Sequence, residues 1–220
     1  MSITESLSRL QLSVPEHVKI VAVSKTKPVS SILEAYAAGQ RIFGENKAQE
    51  LVLKHSLLPS DIEWHFIGHL QTNKVRYIAP FIQLIHSIDS LNLLCEVDRE
   101  AGKYNRVIDC LLQFYIATEE TKFGLTADEA KQLLGSEKFK LLKHVRITGV
   151  MGMSSFTDDQ QTIRKEFKTL KDAYDLLKSL YFNDDTFFSE LSMGMSGDYR
   201  IAIEEGSTMI RIGTTIFGNR

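Results

Sequence analysis

The sequence predicts an eight-unit parallel α/β barrel, on three observations. Eight short apolar runs occur along 220 residues, helix-like segments lie between them, and no break in composition interrupts the series. Strands joined by a single helix run parallel. Eight such units close into a (β/α)₈ barrel, whereas open doubly wound sheets more often stop at about five or six strands.

The elements follow in order. Residues 1–17 predict a leading helix that plugs or flanks the barrel. The first strand is VKIVAVS (18–24), followed by a helix over 29–38. RIFG (41–44) and a helix over 45–55 form the second unit, and EWHFIG (63–68) with 71–79 the third. LIHSI (84–88) precedes a helix over 90–103, and RVIDCLLQFYI (106–116) one over 126–134. HVRITGVM (144–151) leads into the longest helical pattern, 158–181. TFFSELSM (186–193), a helix over 198–205 and TMIRIG (208–213) complete the set. Several helices open on a Ser, Thr or Asp able to cap the first turn. With four prolines and no linker or repeat, the expectation is one domain over residues 1–220.

Composition narrows the function classes. The chain is 43% apolar and 25% charged, that of an ordinary globular protein. Its 26 basic and 28 acidic side chains leave a net charge of -2 with no like-charge block, which disfavours nucleic acid and bilayer partners. The opening MSITESLSRL carries Glu5 and three serines where a secretory signal needs an apolar core, and no run approaches the ~18 apolar residues of a membrane span. A cytoplasmic location is expected, with Cys95 and Cys110 as reduced, buried thiols.

In a barrel the chemistry gathers at the C-terminal ends of the strands. The first such end is AVSKTKP, where period-two alternation puts Val21, Val23 and Lys25 on one face. If the valines point inward, Lys25 reaches over the mouth, and partial desolvation there leaves more neutral amine to attack a carbonyl. Otherwise Lys25 and Lys27 are both solvated at a strand end. SMGMSGD (192–198) and RIGTT (211–215) follow the seventh and eighth strands and offer Ser196, Gly213 and Thr214 as phosphate donors. Arg211 shares parity with Met209 and Gly213, so it faces inward. An inward arginine needs either a ligand or a salt bridge, to Glu45 or Asp198. Asn46, after the second strand, is a further rim donor or acceptor.

His65 and His69 stand four apart, but Gly68 breaks a helix between them and no third ligand is spaced nearby, so no metal site is expected. Core or rim hydrogen bonding is the preferred reading. No GxSxG elbow, P-loop or dinucleotide fingerprint is present.

The segments AVSKTKP, FGENKAQE, WHFIGHLQTNK, ETKFG, VMGMSSF and SMGMSGDYRIAIEEGSTMIRIGTTIFGNR resemble the YggS/PROSC family of pyridoxal phosphate homeostasis proteins, relatives of the alanine racemase barrel. The resemblance runs in order from residue 18 to 220, more in pattern than in letters between 90 and 145. It implies an alanine racemase N-terminal-domain-like barrel and pyridoxal 5′-phosphate (PLP) held as an internal aldimine at Lys25. It also implies that Ser196, Gly213 and Thr214 hold the phosphate, that Arg211 faces the pyridine nitrogen, and that Asn46 and Met153 lie beside the cofactor. A Schiff-base lysine on strand one and an anion cup after strands seven and eight are the two handles PLP requires.

The expected role is that of a monomeric PLP carrier in intracellular vitamin B6 homeostasis, with apo PLP-dependent enzymes as acceptors. Two features weigh against turnover. Racemases of the related fold add a second domain with an acid/base tyrosine, which is not expected here, and an arginine at the ring nitrogen makes the ring a poorer electron sink than an aspartate would. A PLP-dependent amino-acid racemase is the alternative, and a Schiff-base aldolase acting through Lys25 a third reading.

Overall fold

A computed structural model describes residues 2–117 and 123–218. Eight parallel strands close in chain order: β1 Lys19–Val23, β2 Ile42–Glu45, β3 Glu63–Phe66, β4 Leu84–Ile88, β5 Ile108–Gln113, β6 Val145–Met151, β7 Glu190–Met195 and β8 Met209–Ile212. β8 pairs back onto β1, with Val21 opposite Arg211 and Ala22 opposite Ile212. The predicted (β/α)₈ barrel is the observed fold.

The helices are α1 Ile3–Ser13, α2 Val29–Ala37, α3 Ala48–Leu57, α4 Thr72–Ile78, α5 Leu91–Gly102, α6 Ala127–Gly135, α7 Glu137–Lys140, α8 Gln160–Tyr181, α9 Tyr199–Glu204 and α10 Thr214–Phe217. Capping residues start many of them as the sequence suggests. Ser2 and Glu5 form a capping box on α1, Thr126 and Glu129 another on α6, and Ser90 and Asp159 accept first-turn amides of α5 and α8. α1 flanks the barrel and does not plug it: Leu7 and Leu10 are buried, and its first amides donate to Glu34 on α2.

Most boundaries differ from the sequence reading by a few residues, two strands depart further, and two short helices were not expected. β7 starts at Glu190, so residues 186–189 lie before the strand and Ser192 within it. β5 covers only 108–113 of the expected 106–116, and the short helices α7 and α10 carry too little periodicity to be seen. Part of the ETKFG segment falls outside the described residues.

Two cores result from strand alternation. The large one lies between sheet and helices and takes Ala22, Phe43, Trp64, Ile85, Ile210 and Ile212. A small inner one, of Val21, Leu84, Leu111, Met151 and Met209 with Ile42 and Met153 packed against it, fills the lumen. No helix among the described residues is long and apolar enough to cross a membrane. Cys110 is buried and Cys95, expected to be buried, is only partly covered; both are free.

Candidate cofactor site

Val21 lies on the inner face as alternation places it, and beyond Val23 the chain turns at Ser24–Thr26. The half-buried Lys25 lies in that turn, and its two neighbours are clamped. Ser24 donates from Oγ to Glu45 Oε1 at 2.6 Å and accepts at its carbonyl from Lys54 Nζ at 2.8 Å. Thr26 donates its amide to Glu50 Oε1 at 2.6 Å. Thr26 has φ 64, a left-handed conformation that β-branched residues rarely adopt, and the Glu50 bond holds it there. Lys27 turns elsewhere: its Nζ donates to the carbonyls of Phe217 and Gly218 at 3.1 and 3.0 Å, at the C-terminal end of α10.

The clamp is an ion-pair network that sequence reasoning missed. Lys54 Nζ sits 2.8 Å from Glu45 and 2.7 Å from Glu50, with both Lys54 and Glu45 nearly inaccessible to solvent. Burial pushes the Glu45 carboxyl up, against bonds from Lys54 and Ser24 that pull it down. Glu50 is held below its ordinary value, because bonds from Lys54 and Thr26 outweigh the upward push of partial burial. The signal was present in the spacing: Ala48, Leu51 and Lys54 fall on the buried stripe of α3.

Asn46 is half-buried just after β2 and packs against Gly68. A Cβ on Gly68 would stand 2.6 Å from the Asn46 carbonyl oxygen, so this glycine is required by close approach of two loops. Met153 is half-buried above the inner core. Its loop is tied down on both sides: Ser154 Oγ donates to Asp198 at 2.6 Å, and Ser155 donates from N and Oγ to the buried Glu166 of α8.

Ser196 is half-buried in the turn between β7 and α9. Its Oγ accepts from the amides of Gly213 at 3.3 Å and Thr215 at 3.4 Å, gathering a hydroxyl and two N–H groups at the start of α10. Thr214 opens that helix with its side chain exposed; the Thr215 amide was not singled out from sequence. A Cβ on Gly213 would touch Val23, which places these donors next to the strand end that leads to Lys25.

Arg211 is 4% exposed and faces the lumen, but the expected alternatives of a salt bridge to Glu45 or Asp198 are not realised. Glu45 points outward to α3, and Asp198 accepts from Ser154 and from the Met195 amide at 2.5 Å. The guanidinium instead donates to the Ser192 carbonyl at 2.9 Å, to Ser192 Oγ at 2.7 Å and to the Gly152 carbonyl at 2.9 Å. Burial lowers it to about 10, opposed by the charge of Asp198, so it stays cationic at neutral pH.

His65 and His69 part company. His65 is buried in the lumen with Nδ1 3.0 Å from His86 Nε2, whereas His69 sits at the rim beside Asp89 and stacks on Phe123. Among the described residues no three ligating side chains gather.

Comparison with known proteins gives this geometry a lineage. The alanine racemase N-terminal domain model matches residues 2–220. A pyridoxal phosphate homeostasis protein of Synechocystis is 41% identical over 220 residues, covering 97% of this chain and 96% of that one. One from Aquifex aeolicus is 40% identical over 203 residues, covering 92% and 87%. The structure of PipY from Synechococcus elongatus without PLP superposes with a TM-score of 0.92 at 36% identity, covering 99% of this chain and all of that one. The same protein with PLP bound gives 0.88 at 35%. The chain therefore belongs to the alanine racemase N-terminal domain family and, within it, to the YggS/PROSC family of pyridoxal phosphate homeostasis proteins.

Proposed function

We propose that this barrel is a single PLP-binding domain over residues 1–220, acting as a monomer in the cytoplasm. It holds PLP as an aldimine on Lys25 and hands it to acceptors such as apo PLP-dependent enzymes. The observation that carries the reading is the placement of three groups on adjacent strands: Lys25 after β1, Arg211 on β8, and Ser196 with the α10 amides after β7 and β8. PLP offers a group to match each: an aldehyde, a ring nitrogen and a phosphate. The names of the relatives and the PLP-bound PipY structure support the same ligand.

Each residue then has a physical task. The Glu45–Lys54–Glu50 clamp fixes the turn from which Lys25 reaches the mouth. Ser196, Gly213 and Thr214 with the Thr215 amide bind phosphate oxygens at a helix start, where free N–H groups and the peptide dipoles favour an anion. Asn46 and Met153 border the ring. Arg211 donates a hydrogen bond to the ring nitrogen and keeps its proton, so the ring withdraws electrons weakly and turnover is disfavoured.

The test is a visible spectrum with and without PLP, then borohydride reduction and peptide mapping. One modified peptide carrying Lys25 is expected; modification at Lys27 overturns the assignment. The loaded protein is next incubated with L-alanine in heavy water. Sustained racemisation or α-proton exchange near ~1 s⁻¹ or faster would overturn the carrier reading in favour of an amino-acid racemase.

A further inference from the structure

Arg211 is one end of a hydrogen-bonded chain that crosses the lumen. Ser192 Oγ, which accepts from Arg211 at 2.7 Å, lies 3.0 Å from His86 Nδ1, and His86 Nε2 lies 3.0 Å from His65 Nδ1. The members come from β8, β7, β4 and β3, so the chain spans the barrel, and none is more than 4% exposed. At its far end His65 lines a cavity of about 230 Å³ among the starts of the strands, with Lys19, Thr148 and Glu190.

The chain has a direction. Ser192 accepts from Arg211, which has no acceptor capacity, and among the described residues the hydroxyl proton has one acceptor, His86 Nδ1. With both imidazoles neutral, His86 then carries its proton on Nε2 and donates to His65 Nδ1, which leaves the His65 proton on Nε2. Each member donates to the next, from the mouth inward. Reversing any tautomer sets two donors or two acceptors face to face in a buried site.

For Arg211 the consequence is orientation. Three of its five N–H donors have protein acceptors, all on the β6 and β7 side. The other two have none assigned among the described residues, although the side chain is buried. Such donors suit a ligand at the mouth.

We propose that Ser192, His86 and His65 are positioning residues for the ring end of the cofactor, holding Arg211 so that one of its two remaining donors meets the pyridine nitrogen. This rests on the PLP reading. The fixed guanidinium offers a hydrogen bond along one line; without the Ser192 hydroxyl it is held only by the Ser192 and Gly152 carbonyls and can turn away from that line.

The experiment compares affinity for PLP with affinity for its 1-deaza analogue, in which C–H replaces the ring nitrogen, using the full chain. Wild type is expected to favour PLP by about tenfold, the size of one hydrogen bond involving a charged group. Ser192→Ala and His86→Leu should each cut that preference to within about twofold while binding the analogue as wild type does, since the phosphate and lysine contacts are unchanged. His86→Gln, whose amide oxygen can accept from Ser192 and whose NH₂ can donate to His65, should retain most of it. The absorption maximum of bound PLP should move in the first two variants and not in the third. Ser192→Ala removes one oxygen and supplies the result should His86→Leu fail to fold. Preference unchanged in Ser192→Ala, or equal weakening for both ligands, overturns the proposal. Wild type that binds both ligands equally also overturns it while leaving the PLP reading intact, and wild type that binds neither overturns both.

Discussion

Lys25 and Lys27 stand two positions apart at one strand end, and the fold sends them to different places. Lys27 neutralises the C-terminal carbonyls of α10, a structural task, and Lys25 is left at the mouth turn. Strand parity alone separated Lys25 from the intervening Thr26 but not from Lys27, because alternation ends where the strand ends. Ser196 shows the same reach and limit: its turn was legible, its partners were not, and the Thr215 amide proved to be one of them. Replacing Ser196 by Ala should weaken PLP binding by ~1–3 kcal/mol, the worth of a hydrogen bond to a charged group. Pyridoxal lacking the phosphate should bind both forms alike, as read by fluorescence titration of the two ligands. Equal losses would assign Ser196 to holding the turn.

At the scale of elements, α3 is the support on which the lysine turn rests. Lys54 reaches from the helix to the Ser24 carbonyl and to both glutamates, so one ammonium joins β1, β2 and α3. Lys54→Met removes the cation and strands a buried carboxylate, which should destabilise the fold by ~3–5 kcal/mol at neutral pH. The deficit should shrink toward pH 5, because Glu45, already raised by burial, takes up a proton in place of its partner. Urea midpoints at the two pH values check this, and a deficit independent of pH would show that packing of the lysine stem is what matters. β7 offers a second case. Its pairing with β8 shifts between Ser192 and Met195, at Gly194 with φ 96, where an added Cβ would lie 2.6 Å from the Ala202 Cβ. Gly194→Ala should cost upwards of ~2 kcal/mol through strain and the displacement of α9, and should disturb the Ser196 turn with it. Denaturant unfolding measures the loss, and a change below ~0.5 kcal/mol would mean that the bulge relaxes freely.

Across the whole molecule, two neutral histidines buried in one lumen tie stability to pH. Burial, with the charge of Lys19, brings His65 down to about 3; burial, with the repulsion that a protonated His65 would add and the charge of Arg211, holds His86 well below its ordinary value. Unfolded, both titrate near 6.5, so below that pH the unfolded chain binds protons that the folded chain refuses. Their contribution is therefore full above pH 6.5 and is lost as pH falls toward 3. Glu45 runs the other way, since its raised pKa favours the folded state at low pH and loses that advantage as pH rises above 4.5. The histidines should dominate between pH 6.5 and 5, with stability falling by up to about 1.4 kcal/mol per pH unit for each proton. His86→Gln should remove roughly one proton from that slope, measured as urea midpoint against pH. A flat profile in wild type would place the histidines in solvent contact.

The barrel, its strand order and the inward parity of Val21 and Arg211 were legible in the sequence because they are set by local rules. Periodicities of about two and 3.6 residues, caps and short connections act within a few positions and repeat eight times. The candidate residues Lys25, Asn46, Ser196, Arg211, Gly213 and Thr214 were singled out for a related reason, since each stands at or near the C-terminal end of a strand, where this fold exposes its chemistry, whereas Met153 came only from the resemblance to the family. Their partners were not. His86 lies within the LIHSI run and shares the inward parity of Leu84, but that it meets His65 and Ser192 follows from barrel closure, which brings β3, β4 and β7 around one lumen. The choice of Ser192 over a carboxylate for Arg211, and the reach of Lys54 from α3 to the Ser24 carbonyl beside Lys25, are likewise decided across sequence separations that no local pattern spans. Buried polar groups must find partners, and only the folded chain determines which ones are within reach.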